Sequence, residues 1–139
     1  MSGELLIEAR GQIEIATLNR PARLNALSEG LVEELNDYFG GLAARPDVRV
    51  VILRGAGRGF CAGLDIQEDR SSDETPVLRT LRTQTSIGNI YRKMRACPQP
   101  IIALGHGAAA GGGLSLMLAA DVRYAAPGFR CNAAYIRIG

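Results

Sequence analysis

IIALGHGAAAGGGLSLMLAADVRYAA, residues 101–126, is the stretch that decides the fold. Ile101 to Leu104 is a short apolar run between turn signals and reads as a buried strand. A loop of small residues, GHGAAAGGG, follows, then a short apolar helix, LSLMLAA, and a further strand from Val122 to Ala125. From Ala96 to Ala120 there is no Lys, Arg, Asp or Glu, but two prolines and five glycines interrupt the segment. It therefore reads as strand, loop and helix rather than as a membrane span.

The same organisation stands upstream. Arg49 to Leu53 (RVVIL) is a second β-branched run, and the loop GAGRGFCAGLDI leaves it at once. Between the two units, Leu78, Leu81, Ile87, Ile90 and Met94 recur at helical spacing until Pro98 and Pro100 stop the pattern. Residues 69–76 are polar and read as a mobile connection. Nearer the start, Leu5 to Arg10 and Ile13 to Leu18 flank Gly11-Gln12 and predict a β-hairpin, with Ile13, Ile15 and Thr17 alternating with Glu14 and Ala16. NRPARLN reads as a loop at Pro21. Ser28 then caps a helix carrying Leu31, Leu35, Phe39 and Leu42, which Gly40-Gly41 and Pro46 are expected to end. The last segment, FRCNAAYIRIG, has no clear period. Two strand–glycine loop–helix units imply one layered α/β domain over residues 1–139, with both loops at one end of the sheet.

A glycine-rich loop after a strand exposes backbone N–H groups, and a following helix adds partial positive charge. Such a loop can hold a phosphate or an oxyanion formed during a reaction; a single one is more readily a tight turn packed against a sheet, and two on successive units shift the balance. Gly105, Gly107 and Ala110 fit G-x-G-x-x-A, but the acidic residue that a dinucleotide site needs at the end of the next strand is missing after Ala125. The net charge of +2, the sparse aromatics and the absence of Trp argue against nucleic acid. Cys61, Cys97 and Cys131 are widely spaced and odd in number, which suits neither a disulfide framework nor a metal site. Reduced cysteines and the lack of a basic-then-apolar start point to the cytoplasm.

NRPARLNAL (19–27), VVILRGAGRGFCAGLDI (50–66) and the stretch from Ile101 to Ala126 together closely resemble the crotonase, or enoyl-CoA hydratase/isomerase, superfamily in order and spacing. The resemblance implies a spiral of repeated ββα units, in a chain that stops before the family's C-terminal helical region. Family members run to about twice this length, and their C-terminal helices support trimers or dimers of trimers. A partial spiral would leave apolar faces uncovered, so homo-oligomerisation or marginal stability is expected.

For this sequence, the resemblance implies an acyl-CoA thioester substrate, with coenzyme A belonging to the substrate and neither separate cofactor nor metal. The thioester carbonyl would sit between the backbone N–H groups of Leu64 and Gly112, an oxyanion hole for an enolate, beside Gly63 and Gly111. Ala62 would meet the adenine, Asp65 and Ile66 would continue that wall, and Ala22, Arg23 and Leu24 would border the pantetheine. Arg20, Arg23 and Arg58 are candidate partners for phosphate. At the two positions of the hydratase glutamates stand Ser115 and Tyr135, so ordinary hydration is not expected, because acid–base groups contribute roughly 10²–10⁴-fold. A family isomerase, a non-catalytic acyl-CoA binder and an unrelated nucleotide-binding domain are the alternatives. His106 is expected to serve packing or hydrogen bonding, with a Cys61–His106 nucleophile pair as its competitor.

Overall fold

The computed structural model describes residues 3–67 and 74–137. The expected hairpin forms from β1 (Leu5–Arg10) and β2 (Ile13–Leu18), which pair antiparallel. Strands β3 (Val50–Gly55), β4 (Ile101–Gly105) and β6 (Val122–Ala125) then add parallel to β2, one beside the next, in a five-stranded sheet ordered β1-β2-β3-β4-β6. Helices α1 (Glu29–Gly41), α2 (Pro76–Ala96) and α3 (Gly112–Ala119) lie between successive parallel strands in the chain. The loop GHGAAAGGG contains a strand that its small residues do not announce, β5 (Ala108–Ala110). It pairs with β7 (Arg130–Asn132), which lies in the aperiodic last segment, as a separate two-stranded ribbon.

α1 begins where Ser28 accepts a hydrogen bond from the Leu31 amide at 3.0 Å, a cap worth about 1 kcal/mol. Leu31, Leu35 and Phe39 are buried along one face. The helix ends at Gly41, within the expected Gly40-Gly41 pair. The chain continues through Gly41 into a 3-10 turn, Leu42–Ala44, because Leu42 is fully buried and keeps the backbone on the core. In α2 only Ile87, Ile90 and Met94 are buried. Leu78 and Leu81 keep the helical spacing but are exposed, so the first half of the helix projects beyond the core. The connection expected over 69–76 is described only from Glu74, and Pro76 opens α2; residues 69–73 lie outside the described residues.

β2 does not alternate. Glu14 is buried, held by Arg45 at 2.5 Å and by a 2.9 Å hydrogen bond from Tyr38, because both faces of the strand are covered. Burial, reinforced by Glu14, pushes the Tyr38 hydroxyl above its ordinary pKa. Apolar side chains left exposed include Leu118 on α3 and Tyr124 on the edge strand β6, 63% and 62% exposed, as well as Leu6 and Ile7 on β1 and Val77, Leu78 and Leu81 on α2. Register places Leu18 opposite Gly55, Arg54 opposite Leu104 and Gly105 opposite Ala125. The loops after β2, β3 and β4 therefore leave from one edge of the sheet, at the carboxyl ends of the strands, where open α/β sheets hold ligands.

Candidate active site

Backbone hydrogen bonds join these three loops. Asn25, fully buried, donates from Nδ2 to the carbonyls of Ala56, Gly59 and Phe60 and accepts the Arg20 amide at Oδ1, which fastens the first loop to the second. Cys61 and Ala109 form a parallel bridge between the second and third: the Cys61 amide donates to Ala108 at 3.2 Å and the Ala110 amide to Cys61 at 3.0 Å. Leu27 and Leu64 form another, with the Leu27 amide donating to Gly63 at 2.7 Å and the Asp65 amide to Leu27 at 3.1 Å.

That last bridge determines what Leu64 can do. The groups flanking it, the Gly63 carbonyl and Asp65 amide, turn toward Leu27, so in extended backbone the Leu64 amide turns the other way. Gly112 is the first residue of α3, where helix geometry supplies no acceptor for the N–H. Among the described residues neither amide makes a hydrogen bond. Both residues line one cavity of about 360 Å³, as do Ala62, Gly63, Ile66, Gly111 and Tyr135. Glycine is required twice in this arrangement. Gly63 has φ +90°, and a Cβ there would stand 2.7 Å from the Ala110 carbonyl; a Cβ on Gly113 would stand 2.2 Å from the Cys61 carbonyl. The third loop can lie against the second only without those side chains.

The two residues at the glutamate positions meet. The Ser115 hydroxyl lies 2.6 Å from that of Tyr135. Tyr91, from α2, lines the same cavity and donates to the Gly112 carbonyl at 3.1 Å. Burial raises the Tyr91 pKa and Tyr135 adds to the shift, while the nearby Ser115 hydroxyl opposes it. Sequence reasoning missed this tyrosine, and with it Gln84, Ile87 and Gly88 of the same wall. Its signal was a hydroxyl-bearing side chain four residues from Ile87 on an apolar stripe. Among the described residues the cavity wall carries no carboxylate and no imidazole.

A second cavity, about 340 Å³, adjoins the first along Ala62, Leu64 and Ile66, and gathers Ala22, Arg23, Leu24 and Asp65. Asp65 does not offer its carboxylate to this space. It is buried against Arg20 at 3.0 Å and Arg23 at 2.8 Å. Burial opposes its ionisation, but hydrogen bonds from Arg23, the Gln67 amide and Arg20 prevail and hold its carboxyl below the ordinary range. Arg20 is likewise consumed, by Glu4 at 2.7 Å and the Ala26 carbonyl at 2.5 Å, which removes it as a phosphate partner. Arg58 is exposed and makes no side-chain hydrogen bond or ion pair among the described residues. Arg130, which sequence reasoning passed over, lines a further cavity together with it.

His106 bonds to the Gly57 carbonyl at 2.7 Å, so its ring ties two loops. Cys61 is fully buried, and burial pushes its thiol up to about 11. The two do not form a nucleophile pair. Among the described residues no cluster of His, Cys, Asp and Glu could hold a metal ion, and no helix is long and apolar enough to cross a membrane.

Residues 8–139 match the family model described as enoyl-CoA hydratase/isomerase, and the chain belongs to that family. It is 38% identical over 134 residues to a protein of Mycobacterium leprae named probable enoyl-CoA hydratase, covering 94% of this chain and 46% of that one. It is 37% identical to the peroxisomal Delta(3,5)-Delta(2,4)-dienoyl-CoA isomerase of Arabidopsis thaliana, covering 77% of this chain and 42% of that one. The crystal structure of an enoyl-CoA hydratase from Mycobacterium smegmatis superposes with a TM-score of 0.89 at 32% identity, over 99% of this chain and 53% of that one. The crotonase-type α/β fold is thus established, and the chain spans about half the length of the curated relatives it matches.

Proposed function

We propose that this chain binds an acyl-CoA thioester and stabilises its enolate between the backbone N–H groups of Leu64 and Gly112. One observation carries the reading: two amides left without acceptors by the fold stand in the wall of one cavity beside the Tyr91 and Tyr135 side chains. Backbone donors of this kind are preorganised, and removing one costs about 2.7–4 kcal/mol of transition-state stabilisation in other enzymes. Ala62, Gly63, Ile66 and Gly111 would shape the acyl end, and Ala22, Arg23 and Leu24 the pantetheine path. The phosphates fall to Arg58, joined by Arg130. Asp65 acts by holding Arg20 and Arg23 in place.

The hydroxyls of Ser115 and Tyr135 in place of two carboxylates favour a family reaction other than hydration, such as double-bond isomerisation, or binding without turnover. Metabolism of fatty acids or related acyl-CoA compounds, a cytoplasmic setting and a trimer or dimer of trimers complete the proposal. The exposed Leu118, Val122 and Tyr124 support the assembly. The test is a calorimetric titration with butyryl-CoA, CoA and NAD, coupled to a crotonyl-CoA hydration assay. Butyryl-CoA should bind, NAD should not, and hydration should run at least about 100-fold below that of a glutamate-bearing relative. Binding of NAD without CoA compounds would overturn the reading.

A further inference from the structure

The two amides of the proposed hole are held by different means. Leu64 is fixed by its backbone bridge to Leu27. Gly112 is the middle one of three consecutive glycines, and glycine backbone has the widest freedom of any residue. α3 starts there without a side-chain cap, since its N-cap is Gly111. The direction of the Gly112 N–H therefore depends on what grips the peptide units around it. Three hydrogen bonds do so. The Gly111 amide donates to the Asn132 carbonyl at 2.9 Å, the Ser115 amide to the Gly111 carbonyl at 3.1 Å, and the Tyr91 hydroxyl to the Gly112 carbonyl at 3.1 Å. Of these three only the last comes from a side chain. It also reaches across from another helix, since Tyr91 stands on α2 and packs against the core.

We infer that Tyr91 is a positioning residue: its hydroxyl grips Gly112 from α2 and so aims the Gly112 N–H at the oxygen that becomes an enolate. The fit is close on both sides. A Cβ on Gly112 would stand 3.2 Å from the Tyr91 hydroxyl and 2.9 Å from Leu27 Cδ1, so the glycine is lodged between α2 and Leu27. Leu27 also carries the bridge to Leu64, and one residue thus touches the supports of both donors. The Tyr91 hydroxyl stays protonated at neutral pH, because burial raises its pKa, and so remains a donor to the carbonyl. Without that hydroxyl the first turn of α3 is free to rock about its glycines, and the N–H swings with it.

This role rests on the acyl-CoA reading. It is tested on the full chain with Tyr91→Phe, which keeps the ring and removes the grip; melting should stay within about 5 °C of the wild type. Should that variant melt poorly, Tyr91→Met gives the same comparison with a side chain that fills irregular gaps. In the ligand-free protein, ¹⁵N relaxation should show the Gly112 amide falling from a rigid order parameter of about 0.85 toward about 0.6, while Leu64, held by its bridge, keeps its value. A Tyr91 hydroxyl that merely touched the ligand would leave this number unchanged. With acetoacetyl-CoA bound, the pKa of this β-keto thioester is read from the ultraviolet band of its enolate. Two aimed donors lower that pKa below its value in water. Losing a donor outright costs about 100- to 1000-fold. Loosening one should cost about tenfold, a rise of about one pH unit in Tyr91→Phe. A Gly112 amide as rigid in the variant as in the wild type, or a bound pKa that does not move between them, overturns the positioning role and leaves the acyl-CoA reading standing. A wild type that fails to bind acetoacetyl-CoA, or binds it without lowering its pKa, overturns the acyl-CoA reading and the role with it.

Discussion

Gly113→Ala is the substitution that best separates a deliberately close approach of two loops from an ordinary helix position. Gly113 lies in α3, where alanine on its own merits gains about 1 kcal/mol over glycine. Against that, the new Cβ would stand 2.2 Å from the Cys61 carbonyl oxygen, more than 1 Å short of the 3.4 Å at which ordinary contact begins. Cys61 is held in the bridge to Ala109 and its backbone cannot give locally. Overpacking costs about 1–3 kcal/mol when side chains can adjust, and a clash with bridged backbone belongs at or above the top of that range. The net expectation is a loss of about 2–3 kcal/mol. At about 4 °C per kcal/mol for a chain of this size, melting should fall by about 8–12 °C. The loop shift also moves the Gly112 amide relative to Leu64, and a displacement near 1 Å costs on the order of 100-fold in a catalytic or binding geometry. Scanning fluorimetry gives the first number and an acyl-CoA titration the second. A variant that melts at or above the wild-type temperature would refute the reasoning, since propensity would then have won over the clash.

Gly88→Ala is the counterpart: it lies mid-helix with nothing within 4 Å of its Cβ, so fluorimetry should show a rise of about 3 °C. Asp65→Asn leaves Arg20 without one of its two carboxylates and should cost about 3 kcal/mol in urea unfolding. Because the folded state lowers the Asp65 pKa, its stabilisation is complete above the unfolded value near 3.9 and fades as pH falls through the folded one. The wild type should lose urea resistance below about pH 4, and the variant should lack that part of the slope. Thiol labelling at mild alkaline pH should modify exposed Cys131 first, half-buried Cys97 more slowly and Cys61 only on unfolding, read by mass of the labelled peptides.

The strands with apolar runs and the helix opened by Ser28 were legible because period and capping are local. β5 and β7 were not: three alanines have no strand preference, and Arg130–Asn132 has none either, so the ribbon exists only through pairing across twenty residues of chain. Glu14 read as the polar side of an alternating strand and Asp65 as part of the adenine wall, yet each is buried because an arginine distant in sequence reaches it. The oxyanion loops were found from the glycines and from resemblance, since backbone chemistry leaves small residues as its trace. Tyr91 stood hidden among core residues, because a tyrosine on an apolar stripe differs from a phenylalanine only where its hydroxyl points.

The carbonyl itself gives the most direct measurement. Butyryl-CoA labelled with ¹³C at the thioester carbon is bound to the wild-type chain, and its carbonyl stretch is read by isotope-edited infrared difference spectroscopy. Two preorganised N–H donors polarise the carbonyl, so the band of the bound ester should move to lower frequency than in water, and the displacement should shrink in Gly113→Ala. A bound ester whose carbonyl absorbs where the free one does would contradict an oxyanion hole at Leu64 and Gly112.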